Sequence, residues 1–175
     1  MKKNLIAVAV LASSAFGISA FAADGQVNFT GEIIDAGCTV VNTPANPLEV
    51  KLGKVARSAF TQAGDTAAAT GFTLQLTNCP VTVGTATVKF DGTSVVGDNS
   101  VLALTQGAGV ASGVGIQLSD DANTVLPLFT PSKAYALQSG SAVNNLDFVA
   151  RYISTADDVT AGQANSMASF TINYN

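Results

Sequence analysis

Two thiols, Cys38 and Cys79, are the side chains of this sequence with the clearest covalent chemistry. A metal centre would need more ligands than two distant thiols, and a redox pair is ordinarily spaced C-x-x-C. An even cysteine count in an exported chain most simply means that the two pair with each other. Closing that loop of 41 residues is worth roughly 4 kcal/mol in the chain-entropy account. The rest of the catalytic repertoire is thin. The sequence has no histidine, so Ser-His-Asp and Cys-His constellations and imidazole metal sites are excluded. Most acidic side chains, including Asp91, Asp98, Asp120, Asp121, Asp157 and Asp158, fall in turn-like stretches. Their spacing lacks the D-x-D-x-D-G loop and distant glutamate of a calcium hand, so they read as solvated turn residues. Gly107, Gly109, Gly113 and Gly115 resemble a phosphate loop only in composition, because they precede a strand rather than open a helix. No enzyme, cofactor or metal is expected.

The elements that must position the disulfide begin behind a leader. Lys2 and Lys3, the apolar run Leu5 to Leu11 and the Ala20-Phe21-Ala22 triplet form an export signal over residues 1–22, cleaved after Ala22. The apolar run is shorter than the ~20 residues a membrane-spanning helix needs, and no later run approaches that length. Removing 22 residues from 175 leaves 153, the size of one domain. Cleavage also removes two of the eight basic residues against twelve acids. The resulting net charge of about −6 argues against nucleic acid and against insertion into, or attraction to, an anionic membrane.

The mature sequence is rich in Thr, Val, Ala, Gly and Asn, a composition suited to an all-β domain. Alternating apolar positions predict strands at Cys38–Val41, Leu48–Leu52, Phe72–Leu76, Ala86–Phe90, Val101–Leu104 and Val114–Leu118. Further strands are predicted at Val125–Phe129, Tyr135–Leu137, Leu146–Tyr152 and Ala168–Tyr174. Asn42–Pro47 reads as a turn, and Lys54–Thr70 as a crossing loop pinned by Phe60. The disulfide then staples the first and third predicted strands. Short strands at this spacing, separated by turns, suggest a two-sheet sandwich of immunoglobulin type.

Ahead of Cys38, the stretch GQVNFTGEII puts Gly25, Val27, Phe29, Gly31 and Ile33 on one face of an extended chain. Alternation fits an ordinary first strand as well as an arm that leaves its own domain. Several segments together decide between these. VNFTGEI before Cys38, LGKV at Leu52–Val55 and GFTLQLTNC at Gly71–Cys79 are joined by SGVGIQLSD at Ser112–Asp120 and the run from Leu146 to Tyr174. In this order, with a penultimate tyrosine, the sequence resembles a chaperone–usher pilin subunit of the type 1 fimbrial kind over its whole mature length.

The resemblance implies an incomplete immunoglobulin-like β-sandwich lacking its final strand, completed by a donor strand from a neighbouring subunit. It assigns residues 23–34 to the donor arm and 35–175 to the pilin domain. Gly25, Val27, Phe29, Gly31 and Ile33 would enter the neighbour's groove, Gly31 where no larger side chain fits. Ala168, Phe170, Ile172, Tyr174 and the terminal Asn175 would border this chain's own groove and meet a periplasmic pilus chaperone. An outer-membrane usher would exchange the chaperone strand for the next subunit's arm, giving a fimbria on the bacterial surface. The few residues ahead of Val27 fit a minor or tip-adaptor subunit as well as a shaft subunit. A carbohydrate-binding adhesin would need a further lectin domain and a stacking platform, for which the sequence offers Tyr135 but no tryptophan.

Overall fold

A computed structural model describes residues 25–34 and 36–175. The expected leader, Ala23 and Asp24 of the expected arm, and Asp35 lie outside the described residues. The chain divides between Ile33 and Ile34.

In the second unit the strands are β1 (Thr39–Val40), β2 (Thr66–Thr77), β3 (Thr85–Gly92), β4 (Ser94–Val95) and β5 (Asp98–Leu102). They continue with β6 (Val114–Asp120), β7 (Tyr135–Ala136), β8 (Asn144–Ser154) and β9 (Ala168–Tyr174). Two sheets result. One has six strands in the order β1-β2-β8-β6-β5-β4, the other three in the order β7-β3-β9, and every named pair is antiparallel. Among the described residues the fold is therefore all-β, with one three-residue 3-10 turn at Arg57–Ala59.

β8 shows how the sequence specifies this packing. Asn144, Leu146, Phe148, Ala150, Tyr152 and Ser154 are buried and the residues between them are more exposed, the period of two of a strand with one face on a core. Phe148 is the hub: its ring lies 5.1 Å from Phe90 and 5.6 Å from both Phe72 and Tyr135. Phe72 and Phe148 come from the six-stranded sheet, Phe90 and Tyr135 from the other, so aromatic edge-to-face contacts join the two layers. The buried amide of Asn144 is bonded on both sides: its Oδ1 accepts from the Gln138 N–H at 2.7 Å and its Nδ2 donates to the Gln138 carbonyl at 3.0 Å.

Three sequence expectations change. Leu48–Leu52 belongs to neither sheet, since none of its residues joins a ladder. Val125–Phe129 is not a strand; only Val125 makes a bridge, to Ser119, and the chain then turns through Phe129 at φ 68. The crossing loop ends early, since β2 already starts at Thr66. Thr66 and Ala67, which carry little hydrophobic pattern, pair with Ile153 and Tyr152 of β8, and Ala68 and Ala69 form the bulge before pairing resumes at Thr70. The disulfide between Cys38 and Cys79 is formed, and it joins the chain just before β1 to the chain just after β2. Those are the segments expected, although they are now the first and second strands.

Phe148→Ala is expected to cost about 3–5 kcal/mol, while Val96→Ala at the fully exposed β4–β5 tip should fall within about 0.5 kcal/mol of neutral. Urea denaturation of the oxidised mature chain measures both.

Candidate functional site

Each sheet ends on the same side without a neighbour. The six-stranded sheet stops at the two-residue β1, and the three-stranded sheet stops at β9, which pairs only with β3. Between these edges runs a groove of about 1030 Å³. Phe72 and Leu74 of β2, Phe90 of β3, Leu102 of β5, Ile116 and Leu118 of β6 and Ala150 of β8 line it from the core. Leu48, Val50 and Leu52 line it from one side, and Ala168, Phe170, Ile172 and Tyr174 from the other.

The exposure pattern of β9 records the gap. Its inward residues Ala168, Phe170, Ile172 and Tyr174 are only partly buried, and they alternate with exposed Ser169, Thr171 and Asn173. On β8 the equivalent positions are fully covered. Pattern and burial therefore disagree on β9: the alternation of a core strand is present without the layer that would cover it. Along the opposite wall, the main chain of Leu48–Leu52 is likewise outside any ladder. A pair of unpaired main-chain edges flanking an apolar trough has room and hydrogen-bonding capacity for one extended segment.

The two ends of the groove are built differently. At one end the Tyr174 hydroxyl accepts from the Cys38 N–H at 3.1 Å and donates to the Cys38 carbonyl at 3.4 Å. Gly37 makes this contact fit, since a Cβ there would stand 2.5 Å from Cε2 of Tyr174. Burial pushes the Tyr174 hydroxyl above its ordinary titration range, partly offset by the Cys38 N–H. The hydroxyl therefore stays protonated and able to donate at neutral pH. Asn175 extends the β9 ladder by one residue: its N–H donates to the Thr85 carbonyl at 3.0 Å, and its main-chain oxygen accepts from Thr85 at 3.0 Å and Gly84 at 3.2 Å. At the other end Gly92 lets strands crowd together, a Cβ there lying 2.6 Å from Leu102 Cδ1. Ser166 donates to the Ala103 carbonyl at 2.5 Å and fixes the chain entering β9.

Residues 25–33, taken alone, form no strand. Val27, Phe29 and Ile33 are 75%, 92% and 98% exposed. Gly25 and Gly31 have no heavy atom within 4 Å of an added Cβ. Ala168, Phe170, Ile172 and Tyr174 are thus assembled along one groove edge, with Asn175 continuing the β9 ladder, while the five arm positions belong to no ladder. Sequence reasoning missed the Gly37–Tyr174 fit, the second wall at Leu48–Leu52 and Met167 beside Ala168 at the rim. The alternation of Leu48, Val50 and Leu52 was a usable signal for the wall; Gly37 carried none.

Tyr135 does not offer a sugar platform. Its hydroxyl donates to the Asp147 carbonyl at 3.1 Å, the edge of Phe148 meets its ring, and Lys133 Nζ stands over that ring at 5.3 Å. Lys133 is itself paired with Asp121. Among the described residues no group of acidic or cysteine side chains is arranged to hold a metal ion, and no helix is long and apolar enough to cross a membrane.

Fold and groove together define an immunoglobulin-like sandwich with one strand position open. The chain belongs to the fimbrial protein family, whose model matches residues 27–175. It is similar to long polar fimbria protein A of Salmonella typhimurium, with 37% identity over 171 residues covering 97% of this chain and 93% of that one. A crystal structure of a Burkholderia pseudomallei antigen and type I fimbria protein is 40% identical, with a TM-score of 0.61, covering 86% of this chain and 97% of that one. The P pilus rod subunit PapA shares the fold at 23% identity and a TM-score of 0.65, over 80% of this chain and all of that one. This protein is accordingly a structural pilin subunit of a surface fimbria.

Tyr174→Phe should leave both main-chain groups of Cys38 without their partner and lower stability by about 1 kcal/mol. Gly37→Ala, which displaces the ring, is expected to cost more, and Gly84→Ala, which meets nothing within 4 Å, little. Guanidinium titration ranks the three. Raised tyrosine values at 135, 152 and 174 give stability that is complete below the unfolded value near about pH 10 and is lost as pH rises through the folded values. Tyr174→Phe should flatten part of that alkaline loss.

Proposed function

We propose that the groove between Leu48–Leu52 and β9 is the acceptor site for the arm of another copy of this chain or of a related subunit, and that this chain's own residues 23–34 fill the groove of a neighbour. The observation that carries this reading is the matched pair of deficits in one polypeptide. β9 has core-type alternation without a cover, and residues 25–33 have apolar alternation without a core.

Dimensions support the pairing. Nine extended residues span about 30 Å and the seven of β9 about 23 Å at roughly 3.3 Å per residue, so the arm covers the groove with a margin. Burying Val27, Phe29 and Ile33 is worth roughly 1.5–3 kcal/mol each. Hydrogen bonds to both unpaired edges fix the register, because a slip of one residue turns Val27, Phe29 and Ile33 outward. Gly31 then falls between Phe29 and Ile33 on that inward face. Ordering the arm costs entropy, so only part of this sum appears as affinity.

An exposed apolar trough with two open edges invites aggregation. On the way to the surface it calls for a temporary strand, and a periplasmic pilus chaperone supplies one in this reading, meeting Ala168, Phe170, Ile172, Tyr174 and the carboxylate of Asn175. An outer-membrane usher then exchanges that strand for the next subunit's arm. The subunit has a structural and not an enzymatic role, and needs no cofactor.

A chain lacking residues 23–33 is expected to keep an acceptor groove and to bind the chaperone, yet never to be donated onward, so fibres containing it terminate there. Electron microscopy and heat-resistant ladders on gels read this out. Fibre growth at the normal rate from the shortened chain would overturn the assignment of the arm.

A further inference from the structure

We propose that Lys51 on the groove wall pairs with Glu32 of an incoming arm, and that Glu49 on the same wall repels Glu32 from the reversed placement, so that charge decides which way the arm lies. This inference rests on the strand-accepting reading above and adds to it a residue that fixes direction.

The backbone leaves that direction open. An unpaired edge offers N–H and C=O groups to a strand running either way. Of the five alternating positions from Gly25 to Ile33, Phe29 is the middle one, so it keeps its place when the arm is turned end for end. One charge breaks the tie. Glu32 is the only ionisable side chain between residues 25 and 34, and it is out of phase with Gly31 and Ile33. When those face the groove, Glu32 stands on the outer face.

The wall carries charge on that same face. Val50 and Leu52 are half-buried and line the groove, whereas Glu49 and Lys51 are exposed and take no part in the lining. On the other flank the outward residues of β9, Ser169, Thr171 and Asn173, are uncharged. Lys51 has no acidic partner among the described residues, where the ion pairs are Lys89 with Asp91 and Lys133 with Asp121.

The course of the chain places these two charges at different levels. Asn42 Oδ1 accepts from the Gln75 N–H at 3.2 Å, and the Gly64 N–H donates to the Ser154 carbonyl at 2.9 Å. Between those points the wall descends from the Thr77 end of β2 to its Thr66 end. β9 runs the opposite way. Its Tyr174 meets Cys38 beside β1, and its Ala168 pairs with Gly92, against Leu102. Glu49 is therefore nearer the Tyr174 end of the groove and Lys51 nearer the Ala168 end. An arm antiparallel to β9 brings Glu32 toward Lys51, with Lys54 and Arg57 further along. The reversed arm carries Glu32 toward Glu49. Opposite charges on neighbouring strands attract and like charges repel, so the first placement is favoured.

The test uses the mature chain and synthetic peptides of residues 25–34, with uptake followed by fluorescence anisotropy. Glu32→Lys in the peptide should weaken uptake by about five-fold at low salt, and Lys51→Glu in the chain should restore it. Salt at about 0.5 M should shrink both effects. Beyond the expected leader six basic residues, eight less Lys2 and Lys3, stand against twelve acids. Attraction by overall charge would therefore tighten the Glu32→Lys peptide, the opposite sign. Direction is read from the native peptide with a nitroxide at its N-terminus, which should broaden the amide signals of Thr85 and Asn173 and spare Gly92 and Ala168. Equal or tighter uptake of the Glu32→Lys peptide, no restoration by Lys51→Glu, or broadening at Gly92 and Ala168 instead would each overturn the proposal. If the native chain takes up no native peptide, the strand-accepting reading itself fails, an outcome seen before any charge is altered.

Discussion

The structure depends on a backbone account that does not close within one molecule. Each sheet ends beside the groove on an edge whose N–H and C=O groups have no ladder partner, and the side chains below that gap are those of a core. A self-contained sandwich would place one more strand between Leu48–Leu52 and β9. Its absence explains features that otherwise look unrelated: the partial burial of Phe170 and Ile172 and the unpaired wall at Leu48–Leu52. The same chain has a surplus of apolar extended residues at its head and a shortage along its flank.

The remainder of the domain frames this gap with contacts of its own. Phe148 and its aromatic neighbours tie the sheets together beneath the opening, and the disulfide fixes the short β1 against β2. The groove is bounded by strands that are anchored on their other sides, β9 by a seven-residue ladder to β3 and by the continuation of that ladder at Asn175. An edge held this firmly is a template of fixed register, which suits acceptance of one particular sequence more than general stickiness.

Much of this was legible in the residues because a strand's period of two survives in single sequences. β8 and β9 were found within one or two residues by alternation, and the pairing of Cys38 with Cys79 followed from count and compartment. The failures have physical causes. Leu48–Leu52 alternates as a strand does because it faces the groove, and alternation says nothing about whether a neighbour exists to bond it. Val125–Phe129 has the composition of a strand, yet Pro127 removes a donor and Phe129 turns left-handed, so tertiary contacts at Ser119 and Phe90 decide its path. Thr66 and Ala67 show the converse, small residues enrolled by a long partner strand. Alternation cannot show that a strand lacks a cover, and here the resemblance of the whole chain to pilin subunits supplied what pattern could not.

The clasp between Tyr174 and Cys38 has a mechanical consequence. Any tension applied to the chain ahead of the domain must arrive through Cys38. There it is shared at once between the covalent bridge to Cys79 and the two hydrogen bonds to the hydroxyl of Tyr174, the last residue of β9, the strand along which the groove is open. Pull entering the domain is thus handed to the neighbourhood of the acceptor edge without first traversing the aromatic interior. A fibre of such units would carry its load as a chain of short, stiff links, with the sandwich cores largely spared.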